Sequence, residues 1–324
     1  MHTPTRWFPL CSALFLGAWG SAANASPLKT GMEIPLWDHT APGAEQVQLE
    51  EKLIDRTTKP DVHDRAWLHV LHPSLTAYVP AKPNGCSVIV AAGGGYERIV
   101  IDKEGTDLAP SLNAEGITLF ILKYRLPGDG FANRQLVPLQ DAQRAIRVVR
   151  ANAQNWHLSA DQVGIVGFSA GGQLAASLAT RFTVAAYPAG DAIDQQSARP
   201  DFVGLLYPVI SMDPVIGHSS TRKQLLGNNP TAQEIADNSL EQQVTAATPP
   251  AFIALADDDK SVNQLNSIHF YEQLHQAGVP AEMHIFQKSG HGFGIRNAKG
   301  NAKLWPRMFL HWLKANHMLE PVAP

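Results

Sequence analysis

Gly167-Phe168-Ser169-Ala170-Gly171 stands between an apolar run, Gln162–Val166, and a small-residue segment, Gly172–Ala179. The pentapeptide G-x-S-x-G also occurs by chance in Gly/Ala-rich turns, so its flanks decide what it means. Here a strand feeds directly into a helix. A serine on so sharp a turn takes a backbone conformation that L residues avoid, and glycine is needed on both sides to escape clashes. The turn lifts the hydroxyl above the sheet and aims the positive end of the helix dipole at the group beside it. Ser169 is therefore the candidate nucleophile.

The rest of the chain supplies the matching elements. Cys86–Ala92, Ile117–Tyr124, Val163–Val166, Phe202–Ile210, Ala251–Ala256 and Ala281–Phe286 are short apolar runs, the pattern of parallel strands buried on both faces. Between two of them, Leu139, Ala142, Ala145, Ile146 and Val149 recur at helical spacing, with Arg144, Arg147 and Arg150 on other faces. Strands alternating with helices predict an α/β fold, a mostly parallel central sheet with helices on both faces. Before Cys86 the chain is richer in Pro, His and charge, which predicts antiparallel strands leading in at the sheet edge. The polar stretch Ser211–Pro250 predicts an excursion between two strands, near the mouth of the site. No repeat or linker divides the chain, so one domain over residues 26–324 is expected.

Residues 1–25 are set apart from that domain. Arg6 forms a thin basic start, residues 7–19 an apolar stretch broken by Pro9, and Ala23-Asn24-Ala25 a small-x-small cleavage site. This predicts an export signal peptide and a periplasmic or secreted protein, with an uncleaved anchor as the competing reading. Cys11 lacks the small residue that should precede a lipidated cysteine. Once residues 1–25 are removed, Cys86 is the remaining thiol, so the fold is expected to stand without an intramolecular disulfide. Cys86 itself reads as a small buried hydrophobe. A net charge of -3 with no basic run argues against nucleic-acid or anionic-membrane partners.

A serine hydroxyl is a weak nucleophile at neutral pH. It needs a histidine base, and the histidine needs an orienting carboxylate. With this type of turn the chain order is serine, acid, histidine, each after a strand. The run Ala251–Ala256 ends in Asp257-Asp258-Asp259-Lys260-Ser261-Val262, and the next run leads to Gly290-His291-Gly292-Phe293-Gly294. Asp259 is the favoured acid because a valine that can pack inward follows it closely; Asp258 and Asp257 remain alternatives. His291 is the base, flanked by glycines that let its loop approach the serine. His63, His69 and His72 invite a metal, but no His-Glu-x-x-His pattern or Cys/His cluster accompanies them, so no metal is expected.

Acyl transfer also needs fixed donors for a developing oxyanion. One is the N–H of Ala170, immediately after the serine. Others are expected from Ala92-Gly93-Gly94-Gly95-Tyr96, which follows an earlier strand as the His-Gly-Gly-Gly loop of lipases and esterases does. Alanine stands where that histidine would be. Gly94 and Gly95 are the candidate donors, and Tyr96 a candidate border of the acyl pocket. A phosphate loop competes for this stretch, but no Lys-Ser/Thr follows it and G-x-G-x-x-G is absent.

With these residues in place the chain resembles the α/β-hydrolase carbohydrate esterases, in their acetylxylan esterase and feruloyl esterase-like (BD-FAE-like) branch. The matching pieces are Gly93-Gly94-Gly95-Tyr96, Lys103-Glu104-Gly105, Lys123-Tyr124-Arg125-Leu126-Pro127, Asp141–Arg147, Gly167–Gly172, Tyr207-Pro208-Val209-Ile210, Thr248-Pro249-Pro250 and Gly290–Gly294. They run from about Ile34 to Leu313. The resemblance implies an α/β-hydrolase fold and a serine esterase without cofactor, acting on acetyl or other small acyl esters of plant-type oligosaccharides. A feruloyl or general short-chain carboxylesterase, a serine peptidase of the same fold and a non-catalytic binding protein stay open as alternatives. Asp141, Arg144, Tyr124 and Arg125 are expected to brace the structure rather than to touch substrate.

Overall fold

Five of the six apolar runs become inner strands of an eight-stranded sheet, and the sixth, Ala281–Phe286, its partly exposed edge strand, in a computed structural model that describes residues 27–60 and 62–320. The signal-peptide reading of residues 1–25 lies outside the described residues. In chain order the strands are β1 (Glu33–Pro35), β2 (Lys52–Asp55), β3 (Arg65–Leu68), β4 (Ser74–Tyr78), β5 (Ser87–Ala91), β6 (Ile99–Val100) and β7 (Thr118–Lys123). They continue as β8 (Val163–Phe168), β9 (Val203–Leu206), β10 (Ala251–Ala256) and β11 (Ala281–Phe286). The large sheet is ordered β1-β4-β7-β5-β8-β9-β10-β11. Its pairs from β7 across to β11 are parallel, whereas β1–β4 and β4–β7 are antiparallel.

Every residue of β5, β7, β8, β9 and β10 is buried. Strands with no polar face are stable only where helices cover them. The helices are α1 (Ala109–Asn113), α2 (Val137–Ala151), α3 (Ala170–Arg181), α4 (Ser219–Leu226), α5 (Ala232–Asn238), α6 (Leu265–Gln276) and α7 (Trp305–Ala315). Of these, α2 and α3 pack on each other and on β8, while α6 and α7 pack on β10. Helix α7 lays Phe309 and Trp312 against Phe202 and Phe252 of the sheet region. Burying each large side chain of this kind contributes about 1.5–3 kcal/mol. Gly164 makes room for the packing, because a Cβ there would stand 2.1 Å from the Phe202 ring.

Two features depart from the sequence expectation. Only β1 and β4 of the leading strands join the sheet edge; β2 and β3 pair with β6 in a separate three-stranded sheet. The run Phe202–Ile210 is a strand only as far as Leu206, because Tyr207 turns to φ 38° and breaks the extended backbone. Asp141 and Arg144 on α2 serve different partners. Asp141 takes fully buried Arg125 at 2.8 Å, whereas Arg144 pairs with Asp191 and Asp194. Among the described residues no helix is long and apolar enough to cross a membrane.

Candidate active site

Ser169 ends β8 and begins α3. Its backbone takes φ 52° and ψ −117°, a region that costs an L residue about 1–3 kcal/mol. The surroundings hold it there. Its N–H donates to Leu206 O, and its carbonyl accepts from the N–H groups of Gly172 and Val209. The turn is too tight for side chains at its glycines. A Cβ on Gly167 would come within 2.2 Å of Gly171 O, and one on Gly171 within 2.0 Å of Ala91 O.

Strand ends β10 and β11 deliver the other two groups. His291 Nε2 lies 2.8 Å from Ser169 Oγ, and His291 Nδ1 lies 2.7 Å from Asp259 Oδ2. A carboxylate can only accept, so Nδ1 carries the ring proton and the Nε2 lone pair faces the hydroxyl. The other oxygen, Asp259 Oδ1, accepts from the N–H groups of Ser261 and Val262. Burial pushes the Asp259 carboxyl up; the bond and charge from His291 and these two N–H groups outweigh it, leaving the carboxyl below its usual range. Asp258 faces away from the imidazole. Its Oδ1 accepts from Ser289 and Gly290 N–H, anchoring the loop that carries His291. Nothing comparable involves the Asp257 side chain, which is exposed.

The Gly93–Gly95 loop passes over the same turn and is pinned at several points. Tyr124 Oη donates to Ala92 O at 2.7 Å, Gly93 N–H donates to Glu104 Oε2 at 2.8 Å, and Ser220 Oγ donates to Glu97 Oε1 at 2.6 Å. Gly94 and Gly95 adopt φ 134° and 67°, conformations open to glycine. Among the described residues, no hydrogen bond uses the N–H of Gly94, Gly95 or Ala170. Tyr96 does not border an open pocket. It is 1% exposed, its hydroxyl donates to Gln173, and its ring packs edge-on against Tyr124. It braces the loop from beneath, since its positive φ of 61° turns the side chain into the core.

Sequence reasoning passed over three side chains. Glu104 and Tyr207 are buried beside the serine and histidine loops. Both lie in pieces that carried the family resemblance, but neither residue type suggested chemistry there. His218, at the start of α4, has Nδ1 occupied by the Thr221 hydroxyl and N–H. Burial and then His291 push the His218 imidazole down from its usual range. A separate cleft of about 700 Å³, lined in part by Trp37, Asp38, Leu71 and Ser74, opens at the β1–β4 edge. None of its lining residues belongs to the site around Ser169.

The BD-FAE family model matches residues 75–274, which include Ser169 and Asp259. The chain belongs to the BD-FAE family. Within it, the match reaches from β4 almost to the end of α6 and stops before His291. This BD-FAE chain is 33% identical over 226 residues to an acetylxylan esterase of Xylanibacter ruminicola, covering 68% of this chain and 44% of that protein. It is 34% identical over 227 residues to endo-1,4-beta-xylanase B of Butyrivibrio fibrisolvens, covering 69% of this chain and 35% of that protein. The chain thus spans less than half the length of either curated relative. Among solved structures, the acetyl ester-xyloside bifunctional hydrolase of Caldicellulosiruptor lactoaceticus superposes with a TM-score of 0.75 at 31% identity, over 91% of this chain and 99% of that one. The carboxylesterase Cest-2923 of Lactobacillus plantarum, at 21% identity and TM-score 0.65, covers 85% of this chain and all of that one. It shares the fold, an α/β-hydrolase.

Proposed function

We propose that this chain is an exported serine esterase that removes acetyl groups from xylan-type oligosaccharides. The observation that carries the reading is the continuous hydrogen-bonded row from Ser169 Oγ through His291 to Asp259, at 2.8 and 2.7 Å. In the proposed mechanism His291 Nε2 takes the hydroxyl proton as Ser169 Oγ attacks the ester carbonyl. Asp259 holds the ring tautomer and stabilises the imidazolium. The carbonyl oxygen becomes an oxyanion held by the N–H groups of Gly94, Gly95 and Ala170, which have no other partner among the described residues. Collapse of the tetrahedral species expels the sugar hydroxyl, which takes the proton from His291. Water then attacks the acyl-serine with His291 again as base, releasing acetate and free enzyme. These steps need no metal or organic cofactor.

The choice of substrate rests on the relatives. The acetylxylan esterase of Xylanibacter ruminicola and the acetyl ester-xyloside hydrolase of Caldicellulosiruptor lactoaceticus both exceed 30% identity. The test is acetate release from acetylated xylo-oligosaccharides by purified protein, beside feruloylated arabinose esters, short-chain aryl esters and peptides. The acetylated sugars are expected to give the highest kcat/KM. Ser169→Ala is expected to remove activity while its melting curve stays cooperative. Activity that survives in that variant refutes the nucleophile, and cleavage of peptides alone refutes the esterase reading.

A further inference from the structure

Glu104 is 3% exposed, and among the described residues no lysine, arginine or histidine forms an ion pair with it. A buried carboxylate without a cation is costly to keep, and an apolar side chain of similar volume would serve stability better. What Glu104 does have is two donors. Its Oε2 accepts the Gly93 N–H at 2.8 Å, and its Oε1 accepts the Tyr207 hydroxyl at 3.1 Å. The Tyr207 oxygen in turn accepts the Gly294 N–H at 2.9 Å. A continuous row therefore runs from the glycine loop through Glu104 and Tyr207 to the loop that carries His291.

We propose that Glu104 and Tyr207 are positioning residues, which hold the Gly93–Gly95 loop and the His291–Gly294 loop in register across the reacting serine. This inference rests on the serine-esterase reading above. Three observations support it beyond the row itself. Glu104 fixes the first glycine N–H of the loop, whereas the next two, at Gly94 and Gly95, are unbonded among the described residues. The Tyr207 ring meets the His291 ring edge-on, with centroids 5.0 Å apart, so the same side chain that bonds Glu104 also limits tilt of the imidazole. Space is also closed at the glycine end. A Cβ on Gly93 would stand 2.8 Å from both Glu104 Oε2 and Ser169 Cβ, so the carboxylate and the serine grip one peptide from two sides. Both contacts on Glu104 are donors. Glutamine keeps the Gly93 bond only by turning its NH2 toward the Tyr207 oxygen, which already accepts Gly294 N–H; the hydroxyl proton then loses its acceptor and the row loses its charge-assisted bonds.

The test compares Tyr207→Phe, Glu104→Gln and the double variant with the parent on one acetyl ester. Tyr207→Phe keeps the ring and its packing and removes only the hydroxyl. Each single variant is expected to lower kcat about 10- to 100-fold while KM stays within about twofold, the mark of a misaligned transition state rather than of lost binding. The double variant is expected to be no slower than the poorer single one, since either change breaks the same row. A folded Tyr207→Phe with kcat within about twofold of the parent overturns the proposal, as does a loss carried by KM alone. If Glu104→Gln fails to fold, Tyr207→Phe decides. Ser169→Ala is measured alongside to separate the two readings. An active Ser169→Ala refutes the serine reading itself; an inactive Ser169→Ala beside a fully active Tyr207→Phe refutes only the positioning role.

Discussion

Asp258 and Asp259 are neighbours in sequence and face different donors in space. Asp259 receives the imidazole N–H, and Asp258 receives two peptide N–H groups of the histidine loop. Asp259→Asn would offer an amide that can turn its NH2 toward Nδ1 and so favour the wrong tautomer; kcat is expected to fall about 10³- to 10⁴-fold with the fold retained. Asp258→Asn leaves a side-chain oxygen able to accept both N–H groups, so its kcat is expected to stay within a few-fold of the parent. Steady-state kinetics on the two purified variants check this pair, and equal losses would contradict the division. The sequence narrowed the acid to three aspartates from chain order. The valine that follows it favoured Asp259 among them, but residue type alone does not encode how the turn after β10 aims each carboxylate, which sends Asp258 to the loop backbone. Tyr96 illustrates the same limit. Its place after the glycine loop suggested a pocket wall, and a single positive φ sends the ring inward instead.

At the scale of elements, the most legible parts were those with one physical demand. Strands buried on both faces had to be largely apolar, so β5, β7, β8 and β10 stand within two residues of the apolar runs at either end; edge strand β11 also matches its run, although only Phe286 in it is buried. The second sheet was not legible, because β2 is mostly exposed and β6 is two residues long. Neither alternates apolar and polar residues for long enough to declare a strand. Helix α2 is tied to the end of β7 by Arg125 and Asp141, both fully buried, with further bonds from Arg125 to Gln140 and Pro42 O. Breaking a buried pair strands the remaining charge. Asp141→Asn is expected to cost about 3–5 kcal/mol of stability, read from the denaturant midpoint, while kcat per folded molecule is unchanged. A midpoint like the parent's would show that the pair is stabilised by something other than the complementary charge.

For the molecule as a whole, several carboxylates share one sign. Asp191 sits below its ordinary range chiefly because of Arg144. At Asp102, Asp194 and Asp259 burial pushes the carboxyl up, and donors led by Arg65, Gly190 and His291 respectively more than reverse this. A carboxyl depressed in the folded state binds fewer protons there than in the unfolded chain. Its stabilisation is fully present above the ordinary aspartate value of about 4 and is lost as pH falls further. Asp129 and Asp201, which burial raises, act in the opposite sense. Melting temperature is therefore expected to drop on going from about pH 5 to pH 2, and a flat profile across that window would contradict the balance. The order of the strands has a further consequence. From β8 to β11, neighbours in the sheet are also neighbours in the chain, yet Ser169 and His291 are 122 residues apart. Their contact needs β9, β10 and β11 all to be in place, so on the proposed mechanism the return of esterase activity during refolding reports closure of that half of the sheet.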